Sequence, residues 1–132
     1  MGGEPYEYVV PYREDVQAAL EELRAAVFER GEYHGAEARP KSIADAVRRS
    51  GDSGTRSILD IERVSRTPDY CRAAPLTPDE MQRYFGTESP TVQMVQDCDA
   101  LWEDLERGMA RYVVTGEAGG HRELVFIGYS FD

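Results

Sequence analysis

The chain has little cysteine, histidine and lysine, and it has no asparagine at all. Cys71 and Cys98 are too far apart for a Cys-x-x-Cys redox motif or a zinc finger, so we expect two free thiols. His34 and His121 belong to no His-x-x-x-His or His-Glu-x-x-His spacing, so no metal site is predicted. The absence of asparagine excludes the catalytic constellations that depend on it, and there is no Walker or Rossmann glycine pattern. We therefore expect no metal or nucleotide cofactor.

Long hydrophobic runs are also absent. No apolar stretch approaches the roughly 20 residues that span a bilayer, and the first residues lack the basic and apolar regions of a signal peptide. These absences predict a cytoplasmic protein with no membrane partner. The length of 132 residues is that of an ordinary single domain, and no Pro- or Ser-rich linker divides it. Residues 1–132 are therefore predicted to form one domain.

Charge is abundant but unevenly distributed. The formal net charge is −10, which opposes binding to nucleic-acid phosphates and favours a basic protein partner. Residues 78–107 hold eight acids and two arginines, whereas residues 37–72 hold eight basic residues and six acids. Such polarisation leaves a homodimer open as an alternative. A solvated acidic face that only maintains solubility is the plainest explanation of the same counts.

The N-terminal part is predicted to begin with a strand followed by two helices. The β-branched and aromatic run Tyr6–Tyr12 is typical of a strand, and Pro11 favours a position at the sheet edge. From residue 13 onward, apolar residues recur at helical spacing, and Gly31 is the expected end of this helix. Ser42 is the expected cap of a second, shorter helix that ends at Ser50.

The central part is predicted to contain two strands followed by two helices. Ser57–Val64 alternates apolar and acidic residues, as a half-exposed strand does, and Tyr70–Leu76 is predicted to pair back with it. Thr77–Glu80 is a capping box with proline at the first helical position, and it predicts a short helix. After Ser89-Pro90, one longer helix is predicted to end near Gly108, because apolar residues keep a helical spacing at Val95, Leu101, Trp102, Leu105 and Met109.

The C-terminal part is typical of a β-hairpin. Arg111–Thr115 and Arg122–Phe131 are strand-like on either side of a glycine-rich loop, residues 116–120. Leu124–Ile127 is apolar at every position, so this strand is expected either to be covered on both faces or to lie centrally in the sheet. Together, the elements predict an α+β fold in which helices pack on one face of a mainly antiparallel sheet of four or five strands.

The first functional hypothesis is a small acidic protein-binding module. An acidic strip on the long predicted helix would attract a basic protein partner, in the manner of small inhibitors, immunity-type proteins or adaptors. Asp97, Glu103 and Asp104 lie close together on a helical wheel. No catalytic residue is assigned under this hypothesis. The residues expected to contact the partner are Asp97, Asp99, Glu103, Asp104 and Glu106.

The alternative hypothesis is a small enzyme or ligand-binding domain with a cleft between the sheet and the helices. A histidine paired with a carboxylate or a thiol can act as a general base near neutral pH. The string Gly-Asp-Ser-Gly at residues 51–54 is similar to the one around the nucleophile of chymotrypsin-like serine proteases. The chain is too short for their double barrel, so we interpret the string as a polar loop. The residues available for a catalytic or ligand site are His34, His121, Asp60, Glu62 and Cys71.

Overall fold

A five-stranded mixed sheet forms the centre of the fold. The structure is a computed structural model that describes residues 3–116 and 121–131. The strands lie in the order β1-β5-β4-β3-β2; the two pairs that include β5 are antiparallel, and the other two are parallel. The α+β class is confirmed, but the expectation of a mainly antiparallel sheet is partly wrong. The strands are β1 (Pro5–Pro11), β2 (Arg63–Val64), β3 (Arg72–Pro75), β4 (Ala110–Val114) and β5 (Glu123–Tyr129).

The described residues also form five α-helices. Three of them, α3 to α5, lie between β3 and β4 in the chain. This long crossover returns the chain to the same end of the sheet, and for that reason β3 and β4 run parallel. Short 3-10 turns occupy three further segments, Ala36–Ala38, Gly51–Ser53 and Ile58–Asp60. The helices are α1 (Val16–Arg30), α2 (Ile43–Ser50), α3 (Pro78–Phe85), α4 (Val92–Gln96) and α5 (Asp99–Asp104).

Helices cover both faces of the sheet rather than the one face predicted from the sequence. Leu124 and Phe126 of β5 belong to a core that also contains the buried residues of α1 and α2. Val125 and Ile127 belong to a second core, shared with α3, α4 and α5. Because side chains alternate along a strand, an apolar residue at every position from Leu124 to Ile127 requires cover on both sides. The predicted central position of this strand is confirmed.

Local capping explains why the predicted helix boundaries are mostly correct. Gly31 ends α1 in the left-handed region, with φ at 68°. The Ser42 hydroxyl accepts the Asp45 N–H at 3.0 Å at the start of α2. Thr77 and Glu80 complete the capping box of α3, each side chain accepting the other's backbone N–H. The edge position of β1 is confirmed as well, since it pairs only with β5.

The strand predicted over Ser57–Val64 is largely wrong. The Ser57 hydroxyl accepts the Leu59 N–H at 3.1 Å and begins the turn Ile58–Asp60. All residues from 57 to 61 are buried, so the half-exposed alternation does not occur. Only Arg63–Val64 is a strand, and it runs parallel to β3 instead of pairing back with it. The inward position of Asp60, described below, accounts for the difference.

The single long helix predicted after Ser89-Pro90 is also wrong. Thr91, not Ser89, caps α4, and the helix ends at Gln96. Cys98 has non-helical dihedral angles, φ −85° and ψ 85°, and a separate helix α5 follows it. Two short helices satisfy the same apolar spacing, because Val95 and Leu101 both reach the second core.

The predicted hairpin strands pair as expected. The β4–β5 register runs from Ala110 opposite Gly128 to Val114 opposite Leu124. In the loop that was predicted to join them, residues 117–120 lie outside the described residues.

Glu80 and Arg111 tie α3 to the sheet through a half-buried ion pair. The Arg111 guanidinium donates to both carboxylate oxygens of Glu80, at 2.5 and 3.1 Å, and to the carbonyls of Ala74 and Pro75. Burial raises the pKa of Glu80, but the hydrogen bonds from Arg111 and Thr77 outweigh this effect and hold the pKa below its ordinary value. The pair should therefore stabilise the fold when Glu80 is ionised.

Glu80→Gln is expected to lower the free energy of unfolding by about 1–2 kcal/mol at pH 7. Because the pKa of Glu80 is lowered in the folded state, its contribution is complete above the ordinary value of 4.5 and is lost as pH falls through the lowered value. Urea unfolding between pH 3 and pH 7 should show the difference between wild type and variant shrinking at acid pH. Asp79→Asn, in the same helical turn but exposed, is the control. A difference that is independent of pH would contradict the assignment.

Candidate functional sites

Five exposed carboxylates lie on or next to α4 and α5. They are called the acidic surface, and they are Asp97, Asp99, Glu103, Asp104 and Glu106. No ion pair among the described residues includes any of them. The arrangement differs from the predicted helical wheel, because Asp97 is the C-cap after α4 whereas Glu103 and Asp104 belong to α5. The charges thus lie on α5 and on the short segments directly before and after it.

Neutral donors hold two of these carboxylates. Gln93 donates its side-chain N–H to Asp97 at 2.8 Å, and the Tyr84 hydroxyl donates to Asp104. Burial and this hydrogen bond raise the pKa of Tyr84. The Arg83 guanidinium lies 4.9 Å from the centre of the Tyr84 ring and donates to its hydroxyl at 3.3 Å. These contacts orient the carboxylates without pairing them directly with a cation.

A groove of about 440 Å³ opens between this surface and the first strand. It is called the Trp102 groove. The Trp102 indole N–H donates to the Val95 carbonyl at 3.2 Å, and the ring meets Tyr129 edge to face, with centroids 6.0 Å apart. The Trp102 ring is therefore held by α4 on one side and by β5 on the other. The groove is lined by Pro5, Tyr6, Glu7, Gln96, Asp99, Trp102 and Tyr129.

The two carboxylate oxygens of Glu7 have different surroundings in this groove. Its Oε1 accepts the Gln96 side-chain N–H at 3.2 Å. Its Oε2 is shielded from solvent and has no hydrogen-bond partner among the described residues. Sequence reasoning treated residues 6–12 only as a strand and Trp102 only as part of an apolar stripe, so it missed both residues. The one available signal was an acid within an otherwise aromatic and β-branched run.

Asp60, Glu62 and Cys71, which the alternative hypothesis singled out, do lie in one region. Asp60 is only 4% exposed, and its Oδ1 accepts both the N–H and the hydroxyl of Thr55, at 2.7 and 2.8 Å. Its Oδ2 has no partner among the described residues. Burial raises the pKa of Asp60. The Glu62 N–H donates to the Cys71 carbonyl at 2.8 Å, which connects the loop to the start of β3.

Cys71 is poorly suited to nucleophilic chemistry in this setting. Burial, and then the negative charges of Glu62 and Asp60, raise the pKa of its thiol. A raised pKa leaves less of the reactive thiolate at neutral pH. The predicted free thiols are confirmed, since neither Cys71 nor Cys98 is in a disulfide.

The two histidines do not join this region. The His34 side chain is exposed, and the backbone N–H of this residue donates to the Thr55 carbonyl at 2.8 Å. It lines a separate cavity of about 350 Å³ together with Arg49 and Ser53. His121 is exposed and precedes β5, whereas the Cys71 end of the sheet is tied to the other end of that strand at Tyr129. Neither side chain forms a hydrogen bond to a described carboxylate or thiol.

Comparison with known proteins found no matching family model and no significantly similar curated protein or solved structure. Within residues 3–116 and 121–131, no three His, Cys, Asp or Glu side chains are grouped so that they could hold a metal ion. No helix in the same ranges has the length and apolar character needed to cross a bilayer. Function therefore has to be argued from the chemistry of the surface itself.

Proposed function

We propose that this protein is a small acidic protein-binding module whose acidic surface receives a basic protein partner. The observation that carries the proposal is that five exposed carboxylates on or next to α4 and α5 have no ion-pair partner among the described residues. Unpaired surface charge of one sign accelerates the encounter with an oppositely charged partner and discriminates against acidic proteins and nucleic acids. Inhibitors, immunity-type proteins and adaptors of this size use a surface of that kind, and this comparison is one of chemistry alone.

The small-enzyme alternative receives less support. Catalysis by a histidine with a carboxylate or thiol requires the two groups to be within hydrogen-bond reach, directly or through one water. Among the described residues, neither His34 nor His121 forms a direct side-chain hydrogen bond with a carboxylate or a thiol. Asp60, which would be the buried acid, already accepts two hydrogen bonds from Thr55. Those contacts suit a structural role.

The binding proposal is tested by a pull-down from lysate of the source organism with immobilised protein, at about 50 mM and about 300 mM salt. We expect a basic protein that is released at high salt, because exposed charges are screened over a Debye length of roughly 10 Å at 0.1 M. The variant carrying Asp97→Asn, Glu103→Gln and Asp104→Asn should bind the captured protein roughly tenfold more weakly, at a few tenths to 1 kcal/mol per charge.

A matched control loses the same number of charges elsewhere. Glu29→Gln, Glu37→Gln and Asp52→Asn are exposed positions outside the acidic surface. This control should retain most of the affinity, because net charge alone does not place a partner on α4 and α5. Affinity that does not change with salt, or an equal loss in both triple variants, would contradict the proposal.

A further inference from the structure

We propose that the Trp102 groove is the anchor of this interface and takes an arginine side chain from the basic partner. The inference rests on the proposed binding function and identifies the group that the surface recognises. The observation behind it is the combination of one partly exposed aromatic wall with two carboxylates, Glu7 and Asp99, in a single groove.

The aromatic wall of the groove is held in an orientation that suits stacking with a planar cation. This wall is the Trp102 ring. The only polar atom of its side chain, the indole nitrogen, already donates to the Val95 carbonyl. The edge-to-face contact with Tyr129 fixes the plane of the ring. A guanidinium stacked on an indole face is attracted by the ring quadrupole, and tryptophan is the strongest of the aromatic side chains in this respect. An apolar occupant would gain the same burial but would leave the carboxylates unpaired.

The carboxylates supply the matching hydrogen-bond acceptors. Glu7 accepts the Gln96 side-chain N–H through Oε1. Its Oε2 is shielded in the free protein and has no partner among the described residues, so an arginine that displaces this shielding gains an unused acceptor. Asp99 is exposed and forms no ion pair with a described residue. Arginine offers five N–H donors in a planar fork, and it can stack on the ring and bond to both carboxylates at once. Lysine offers a point charge that cannot stack in the same way.

The size of the groove agrees with a side-chain occupant. A volume of about 440 Å³ is large enough for one arginine side chain. The groove is continuous with the acidic surface through Asp99, which belongs to both. A basic segment that runs over α4 and α5 would therefore place one residue beside Trp102. Anchors of this kind carry most of the affinity in protein interfaces.

Trp102 is the only tryptophan of the chain, so its fluorescence reports on this groove. The probes are acetyl-Gly-Arg-Gly-Arg-Gly-amide and two counterparts in which lysine or citrulline replaces arginine, titrated at constant ionic strength. We expect a saturable change in emission with the arginine peptide, at least threefold weaker binding of the lysine peptide, and no saturable change with the neutral citrulline peptide. Equal binding of the citrulline peptide would overturn the proposal, as would equal binding of the lysine peptide.

Variants separate the groove from the wider acidic surface. Glu7→Gln and Asp99→Asn should each weaken the arginine peptide at least threefold, whereas Glu29→Gln should leave its affinity unchanged. Thermal unfolding checks that each variant folds. A captured partner that fails to bind the Asp97, Glu103 and Asp104 triple variant but binds Glu7→Gln and Asp99→Asn normally would support the acidic surface as the binding site and contradict the arginine anchor. If no variant affects the captured partner, both proposals fail.

Discussion

Asp60→Ala is expected to lower the free energy of unfolding by about 3–5 kcal/mol, through the loss of two buried hydrogen-bond acceptor contacts at roughly 1–3 kcal/mol each and the small cavity left behind. The Asp60 carboxylate accepts the N–H and the hydroxyl of Thr55, a residue with no exposed surface. Alanine would leave the Thr55 N–H buried without a partner and the Thr55 hydroxyl with only the Ser57 hydroxyl, 2.8 Å away. Because small domains are stable by only about 5–15 kcal/mol, this loss is large. Urea unfolding followed by Trp102 fluorescence measures it.

Asp60→Asn distinguishes hydrogen bonding from charge. The asparagine carbonyl can accept from Thr55 as Oδ1 does, so the destabilisation at pH 7 should be much smaller than for alanine. Burial raises the pKa of Asp60, so the contribution of Asp60 to stability is complete below the ordinary value of 3.8 and declines as pH rises through the raised value. The advantage of wild type over Asp60→Asn should therefore shrink between about pH 4 and pH 7. A constant difference over this range, or an asparagine variant as unstable as the alanine variant, would contradict the assignment.

Local signals predicted the helix boundaries that are decided within a few residues. The capping box at Thr77–Glu80 needs only its own four residues, and Gly31 ends α1 by its own backbone conformation. The central position of β5 followed from its composition, because an apolar residue at every position from Leu124 to Ile127 cannot be half exposed. In each case, the deciding interaction is short in sequence or belongs to one segment.

The sequence-based predictions were wrong where contacts between residues far apart in the sequence determine the local structure. Asp60 resembles the exposed position of an alternating strand, but Thr55 draws it inward and Arg24 of α1 donates to the neighbouring Leu59 carbonyl at 2.9 Å. Apolar spacing alone does not distinguish one helix from two that meet at Cys98. The direction of β3 relative to β4 depends on how the three intervening helices pack, which no local pattern contains.

The candidate site also has one part that the sequence predicts and one part that it does not. The acids of the acidic surface could be predicted from the sequence, because they are a local concentration of charge. The Trp102 groove could not, because it requires the β1–β5 register that places Pro5 opposite Tyr129. It also requires the contact from Gln96 to Glu7, which are 89 residues apart in the chain. A groove assembled from segments this far apart in the sequence is visible only in the fold.

Gly108→Ala is expected to lower the free energy of unfolding by about 3 kcal/mol. The residue has φ at +78°, and its backbone is fixed by hydrogen bonds, because its N–H donates to Tyr129 and its carbonyl accepts from Cys71. A Cβ at this position would overlap the Phe131 ring, with Cζ at 2.7 Å and Cδ1 at 2.9 Å. The expected cost combines a left-handed conformation, about 1–2 kcal/mol, with overpacking, about 1–3 kcal/mol.

Gly86→Ala is the matched control for the backbone contribution, since its φ is +72° but a Cβ there would meet nothing within 4 Å. It should cost only about 1 kcal/mol in the same urea experiment. The difference between the two variants then measures the conflict with Phe131, which also stacks on Tyr70. In a double-mutant cycle, Phe131→Ala should remove most of that difference, so the double variant should be more stable than the sum of the single changes predicts. Equal losses for Gly86→Ala and Gly108→Ala, or strictly additive effects with Phe131→Ala, would show that the ring does not restrict this position.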